Sequence, residues 1–213
     1  MNCNKWDQNY LGLAEHVSKW SKDPSSRVGA VIVRNNRVIA LGFNGFPAEV
    51  EDKSEWLDIR KIKYEMVVHA EVNALIVAGQ RAEGATIYVY GRPVCSSCAG
   101  AIIQAGIARV VSQAPSPVKG GFAGAVKKLL EAPETELDRN IWDIKGLFAR
   151  HMFSHARLSF DAYPCDASST QVTGQPSCRS SQASALETRI PSNQLRVDNG
   201  VARNRPRSSS RRP

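Results

Sequence analysis

No stretch of this chain stays apolar for long. The strongest runs are short and broken by Gly or Ala, as in Val28-Gly-Ala-Val-Ile-Val33. A membrane span needs roughly 18 such residues, so none is expected. Met1 to Tyr10 is polar and charged and lacks the apolar core of a secretory signal. Cysteine is scarce and odd in number, five in 213 residues, which argues against a disulfide framework. These absences predict a reduced, cytoplasmic compartment and no membrane partner. No internal repeat is visible at periods of about 20–50 residues, which excludes a solenoid. What remains is an ordinary globular composition, 42% hydrophobic and 23% charged, in a chain long enough to bury its own core.

The charge is unevenly placed. The formal net charge of +8 invites a polyanionic partner. Residues 1–160 carry 20 basic and 16 acidic side chains, whereas residues 161–213 carry eight Arg, no Lys and four acids. Half the excess therefore lies in the last quarter of the chain. That segment holds ten Ser and only six residues from Val, Leu, Ile, Met and Phe. It has too little apolar surface to offset its ordering entropy, which predicts a disordered Ser/Arg-rich tail over 163–213 after a folded domain over 1–162. Nucleic acid is not expected for the domain, and the tail's partner is left open.

Within the domain, Leu11, Leu13, Ala14, Val17 and Trp20 follow helical spacing and stop near Asp23-Pro24. Val28–Val33 and Val38–Leu41 read as strands joined by a turn at Asn35-Asn36. A short helix is expected next, then a buried helix over Val67–Ala78, a strand over Thr86–Tyr90, a helix over Ser96–Ala105 and a strand over Ala108–Ser112. Helices over Phe122–Leu130 and Ile141–His155 and a last strand over Arg157–Phe160 complete the order. The alternation predicts an α/β fold, a three-layer α/β/α sandwich with a mixed central sheet.

The chemistry concentrates at two predicted helix starts. His69-Ala-Glu71 opens one helix and Cys95-Ser-Ser-Cys98 opens the next. Cys residues three apart share one face of a helical turn. The helix N-terminus favours their thiolates. One imidazole and two thiolates make a three-ligand zinc set with a fourth position for water. A redox Cys pair and a structural zinc ribbon are the alternatives; the first does not explain His-x-Glu upstream, and the second needs another Cys pair. Cys165 and Cys178 lie in the tail and Cys3 stands alone. His16 fits the first helix pattern, and His151 and His155 read as a surface pair without acidic or thiol partners.

His69-Ala-Glu71 followed by Pro93-Val-Cys95-Ser-Ser-Cys98 resembles the H-x-E…P-C-x-x-C signature of zinc nucleobase deaminases, in which the Glu shuttles protons. Val94 departs from it, with the Pro one place early. Over roughly residues 5–160 the chain resembles the deoxycytidylate (dCMP) deaminase family. The resemblance is carried by Ser21-Lys-Asp-Pro-Ser-Ser-Arg-Val-Gly-Ala-Val-Ile-Val33, Gly42-Phe-Asn-Gly-Phe-Pro47, His69-Ala-Glu-Val-Asn-Ala74 and Ile102-Ile-Gln-Ala-Gly-Ile107. It implies a cytidine deaminase-like fold, Zn2+ on His69, Cys95 and Cys98, and conversion of dCMP to dUMP with Glu71 as the proton carrier. Asn44 would hold the sugar hydroxyl, although Asn before Gly also suits a tight turn. Lys22, Arg27 and Arg92 are the candidates for the phosphate of this small-molecule nucleotide. Tyr90, Phe43 and Phe46 could stack on a base or fill the core. The resemblance also implies homo-oligomers and regulation by dCTP or dTTP. Met152-Phe-Ser-His-Ala-Arg157 resembles a family helix end that carries Gly where Arg157 stands.

Three rivals share these motifs: a deaminase of a base in RNA, a deaminase of other cytosine nucleotides or nucleosides, and a zinc-stabilised scaffold without turnover. The Gly42–Pro47 loop favours a free nucleotide over RNA. Glu71 weighs against the scaffold, which has no use for a proton carrier.

Overall fold

The computed structural model describes residues 4–131 and 134–163. The tail expected to be disordered lies outside the described residues, apart from Tyr163. Helix α1 (Lys5–Ser18) opens with a capping box in which Asn4 and Asp7 each accept the other's backbone N–H. Strands β1 (Gly29–Arg34) and β2 (Arg37–Phe43) form the expected hairpin. Its two turn residues, Asn35 and Asn36, both have positive φ (50° and 58°), the conformation that matches strand twist in a two-residue loop. A bulge between Ile32 and Val33 shifts the register. Two short helices follow, α2 (Ser54–Asp58) and α3 (Arg60–Met66), where the sequence predicts one.

Helix α4 (Ala70–Ala78) starts three residues later than its apolar pattern predicts. Val68 is extended there, exchanging backbone hydrogen bonds with Gly45 at 2.9 and 3.2 Å. The chain continues through a 3-10 turn (Gly79–Ala82), β3 (Thr86–Tyr90), α5 (Ser96–Gln104), β4 (Arg109–Gln113), α6 (Gly121–Glu131), α7 (Glu134–His155) and β5 (Ser159–Tyr163). The strand order is β2-β1-β3-β4-β5. The β1–β2 and β1–β3 pairs are antiparallel, and β3–β4 and β4–β5 are parallel. The mixed sheet is as expected, and β5 reaches Tyr163, one residue past the expected domain boundary.

Strand alternation sorts the core onto two faces. Ile32, Ile87, Val89 and Val110 pack with Ala70 and Ala74 of α4, Ala99 and Ile102 of α5, and Phe153 of α7. Val31, Val33, Tyr88 and Val111 point the other way onto Tyr10, Leu11 and Ala14 of α1. The result is the three-layer α/β/α sandwich that the sequence predicts. Among the described residues no helix is long and apolar enough to cross a membrane.

At the end of α7, Arg157 adopts φ 55°. Leu158 N–H reaches back to the Phe153 carbonyl at 2.9 Å, which closes the helix as a left-handed cap. An Arg sits in the conformation a Gly would take without strain.

Candidate active site

The two predicted helix starts do meet. His69 is the N-cap of α4 in extended conformation, and Cys95 is the N-cap of α5. The Cys95 sulfur accepts the Cys98 backbone N–H at 3.4 Å, so the thiolate substitutes for a usual capping oxygen. His69 Nδ1 lies 3.2 Å from Cys98 Sγ and 3.5 Å from Cys95 Sγ. The three ligand atoms lie within 4.8 Å of one another and form a three-donor group of the kind that holds a metal ion. Both cysteines are buried free thiols. The Cys98 contact, burial and the His69 contact together set the Cys95 thiol, which is held down to about 4. Its thiolate in turn holds the His69 imidazole toward the charged form and the Cys98 thiol protonated.

Glu71 is the second residue of α4 and only 4% exposed. Burial pushes its carboxyl above the ordinary range, the His69 charge opposes that, and its side chain contacts the Cys98 thiol. A carboxyl raised by burial beside a metal-binding group is suited to hold a proton and pass it on.

A cleft opens over these groups. His69, Ala70 and Glu71 line it together with Ser25, Ser26, Lys63 and Arg92. Gly91 has φ 105°, and a Cβ there would lie 2.3 Å from the Arg27 carbonyl oxygen, so only Gly allows this close approach of the two loops. Arg92, the next residue, donates to Ser26 Oγ at 2.9 Å. Asp23 anchors the serine loop. Its Oδ1 accepts the backbone N–H groups of Ser25 (2.8 Å) and Ser26 (3.0 Å), and the buried Lys63 ammonium at 3.0 Å. Burial alone would raise the Asp23 pKa; the Ser25 amide, Lys63 and the Ser26 amide bring it below the ordinary value. Lys63 Nζ also donates to Ser25 Oγ at 2.5 Å.

The other expected site residues divide. Asn44 borders the cleft and is 5% exposed. Its Oδ1 accepts Val28 N–H at 2.8 Å, and its Nδ2 donates to the Ser26 carbonyl at 2.9 Å and to Asp23. One Oδ1 lone pair is left for a ligand. Lys22 does not line the cleft; it pairs with Asp52 at 2.7 Å on the surface. Arg27 is exposed, and its Nε donates to the Asp23 carbonyl. Phe43 packs against Trp20 and Phe46 against Trp56, and Tyr90 joins the α1 side of the core. The cleft's aromatics are Tyr64 and Trp142, which the sequence reading did not single out. His151 and His155 pack against each other, and His151 stacks on Phe122.

Residues 4–114 match the family model described as the cytidine and deoxycytidylate deaminase zinc-binding region. That match spans more than half of the chain. The chain belongs to this family. It is 47% identical over 163 residues to the "Uncharacterized deaminase in luxG 3'region" of Aliivibrio fischeri, an alignment covering 76% of this chain and 97% of that one. It is 35% identical over 126 residues to the deoxycytidylate deaminase of Mycobacterium phage D29, covering 52% of this chain and 96% of the relative. Among solved structures, the dCMP deaminase of cyanophage S-TIM5 aligns at 26% identity with a TM-score of 0.44, covering 52% of this chain and 84% of that one.

The chain is thus a deaminase, and zinc is its cofactor. The residues present fit the ion. One nitrogen and two sulfur donors suit zinc, and the N···S separations of 3.2 and 3.5 Å approach the roughly 3.6 Å between such donors around one tetrahedral ion.

Proposed function

We propose that this deaminase hydrolyses dCMP to dUMP and ammonia. The observation that carries the reading is a buried Glu71 carboxyl beside the three zinc donors, in a cleft that also holds Ser25, Ser26, Lys63 and Arg92. The first group serves the base and the second an anionic sugar phosphate. His69, Cys95 and Cys98 would hold the zinc, which when bound supplies the Lewis acidity that makes water a nucleophile near pH ~7.

The chain's own residues then handle the protons. Glu71 takes one from the attacking water and gives it to N3 of the cytosine. It next takes the second proton from the C4 hydroxyl and passes it to the 4-amino group, so the C4–N bond breaks, ammonia leaves and the C4 carbonyl of uracil remains. The hydrogen bonds of Asn44 stiffen the hairpin entry beside the sugar, and its free lone pair would accept a sugar hydroxyl. Arg92 and the Lys63-backed Ser25, which line the cleft, would meet the phosphate; Lys22 and Arg27 are not among its lining residues.

The test is ammonia release by the zinc-loaded protein from dCMP, CMP, dCTP, deoxycytidine and an RNA hairpin. Turnover of dCMP well above the others supports the reading; release from the hairpin and none from dCMP overturns it. The reading extends to a cytoplasmic homo-oligomer. Ile76 and Val77 of α4 are 70% and 58% exposed, an apolar face suited to a second copy, and sedimentation of the purified protein checks it. It also keeps residues 163–213 outside catalysis, so a chain ending at Tyr163, which leaves β5 whole, should retain dCMP turnover.

A further inference from the structure

Trp142 belongs neither to the zinc set nor to the Ser25, Ser26, Lys63 and Arg92 group, yet it lines the cleft. Its ring centroid lies 5.7 Å from that of His69 and 6.3 Å, edge-on, from Tyr64. The side chain packs against the core, and the residue is only half-buried while Ile144 and Gly146 beside it are buried. A large aromatic left partly open above a catalytic donor is placed to meet a ligand.

The helix that carries it is fastened for this position. Trp142 and Gly146 share one face of α7, four residues apart. A Cβ on Gly146 would lie 2.8 Å from Pro115 Cβ and 3.3 Å from Pro93 Cβ, so α7 rests directly on the segment that leads into Cys95. Asp143 accepts the Ser116 backbone N–H at 2.7 Å and ties the same helix to the loop after β4. The family region ends at residue 114, so this wall comes from a part of the chain outside it.

We propose that Trp142 is a specificity-determining residue whose indole stacks on the planar base of the substrate. The proposal rests on the nucleotide reading of the cleft. It names the ligand feature recognised, an unsaturated flat ring, and makes α7 part of the binding surface. Gly146 acts on it as a positioning residue.

Steady-state kinetics and zinc content of Trp142→Phe, Trp142→Leu and Trp142→Ala test it, with dCMP as substrate. Base–aromatic stacking predicts KM raised about 5- to 100-fold in the Ala and Leu variants, with KM in Phe and kcat in all three within about threefold of wild type. Zinc should stay stoichiometric throughout. Gly146→Val, which pushes α7 off Pro93, should raise KM in the same direction with the indole still present. Unchanged KM in Trp142→Ala, Leu equal to Phe, or loss of zinc in the variants each overturns the proposal, the last by making Trp142 a prop for His69. The substrate reading fails separately, through wild-type protein releasing no ammonia from dCMP. The variants are then compared on the panel member that does turn over.

Discussion

Asp7 and Glu71 are both carboxylates buried in the first turn of a helix, on opposite faces of one sheet, at 1% and 4% exposure. Asp7 is fully partnered. Arg109 donates to both of its oxygens at 2.7 and 3.0 Å, the Tyr88 hydroxyl donates at 2.8 Å, and Asn4 N–H completes the set. Arg109 also reaches Asp161 on β5 at 2.7 Å, so the cluster ties α1 to three strands. Glu71 has no Lys or Arg within ion-pair distance among the described residues; its company is a thiol and an imidazole. Burial raises both pKa values. At Asp7 the hydrogen bonds from Arg109 and Tyr88 reverse the effect and leave it low, and at Glu71 burial prevails. The partner, rather than the burial, decides whether a buried carboxylate is a fixed charge or a proton carrier. Activity should therefore sit on the α4 side and stability on the α1 side.

The largest expected effect breaks the active face alone. Glu71→Gln should lower dCMP turnover by about 10²–10⁴-fold, the worth of a positioned acid–base group. Zinc content and the unfolding midpoint should hold, because the amide is isosteric and no cation is left unpaired. A parallel loss of zinc or of stability would make Glu71 a structural carboxylate like Asp7.

The converse change is Asp7→Asn. Removing one partner of a buried pair costs about 3–5 kcal/mol, and the 27% exposure of the Arg109 side chain puts this case near the lower end. Urea unfolding should show the loss while kcat stays at the wild-type value. An equal fall in kcat would mean that the two faces are coupled through the sheet.

The same pair makes a pH prediction. Asp7 has a lowered folded-state pKa, so its contribution is complete above the unfolded carboxylate's value of about 3.9 and disappears as pH falls through the lower folded value. The stability gap between wild type and Asp7→Asn should be constant from pH 7 to about 5 and shrink below about 4. Comparing the two proteins at each pH cancels the titration of Asp23 and any loss of zinc, which they share. A gap that widens in acid would contradict the sign.

The contrast also marks what a linear reading can reach. His-x-Glu and Cys-x-x-Cys are legible because each is fixed by local helix geometry, and Thr86–Tyr90 is legible because β-branched alternation is also local. Lys63 is invisible in Arg60-Lys-Ile-Lys63: nothing in a run of basic residues tells which one turns inward to meet Asp23, 40 positions away. Lys22 and Asp23 show the same limit. They are adjacent, yet Asp23 is buried and Lys22 exposed, so the acid joins the cleft wall and the base pairs with Asp52 on the surface. Trp142 and Gly146 acquire their roles only when α7 docks on Pro93. The start of α4 is misread for a related reason, since apolar Val67 and Val68 fit a helix as well as an extended segment and only the partner at Gly45 decides.

The smallest expected effect tests whether stability can be moved without touching either carboxylate. Arg157 closes α7 with φ 55°, and its backbone N–H bonds to the Ser154 carbonyl at 3.2 Å. A left-handed conformation costs a non-glycine residue about 1–2 kcal/mol. Glycine removes that cost but loses more chain entropy on folding, so Arg157→Gly should gain roughly 1 kcal/mol. The urea midpoint should rise with dCMP kinetics unchanged. The position lies at the far end of the helix that carries Trp142, so a change in KM would mean that strain at this cap is transmitted along α7 to the cleft. An unchanged KM confines the strain to the cap and leaves the docking of Gly146 on Pro93 as what sets the indole.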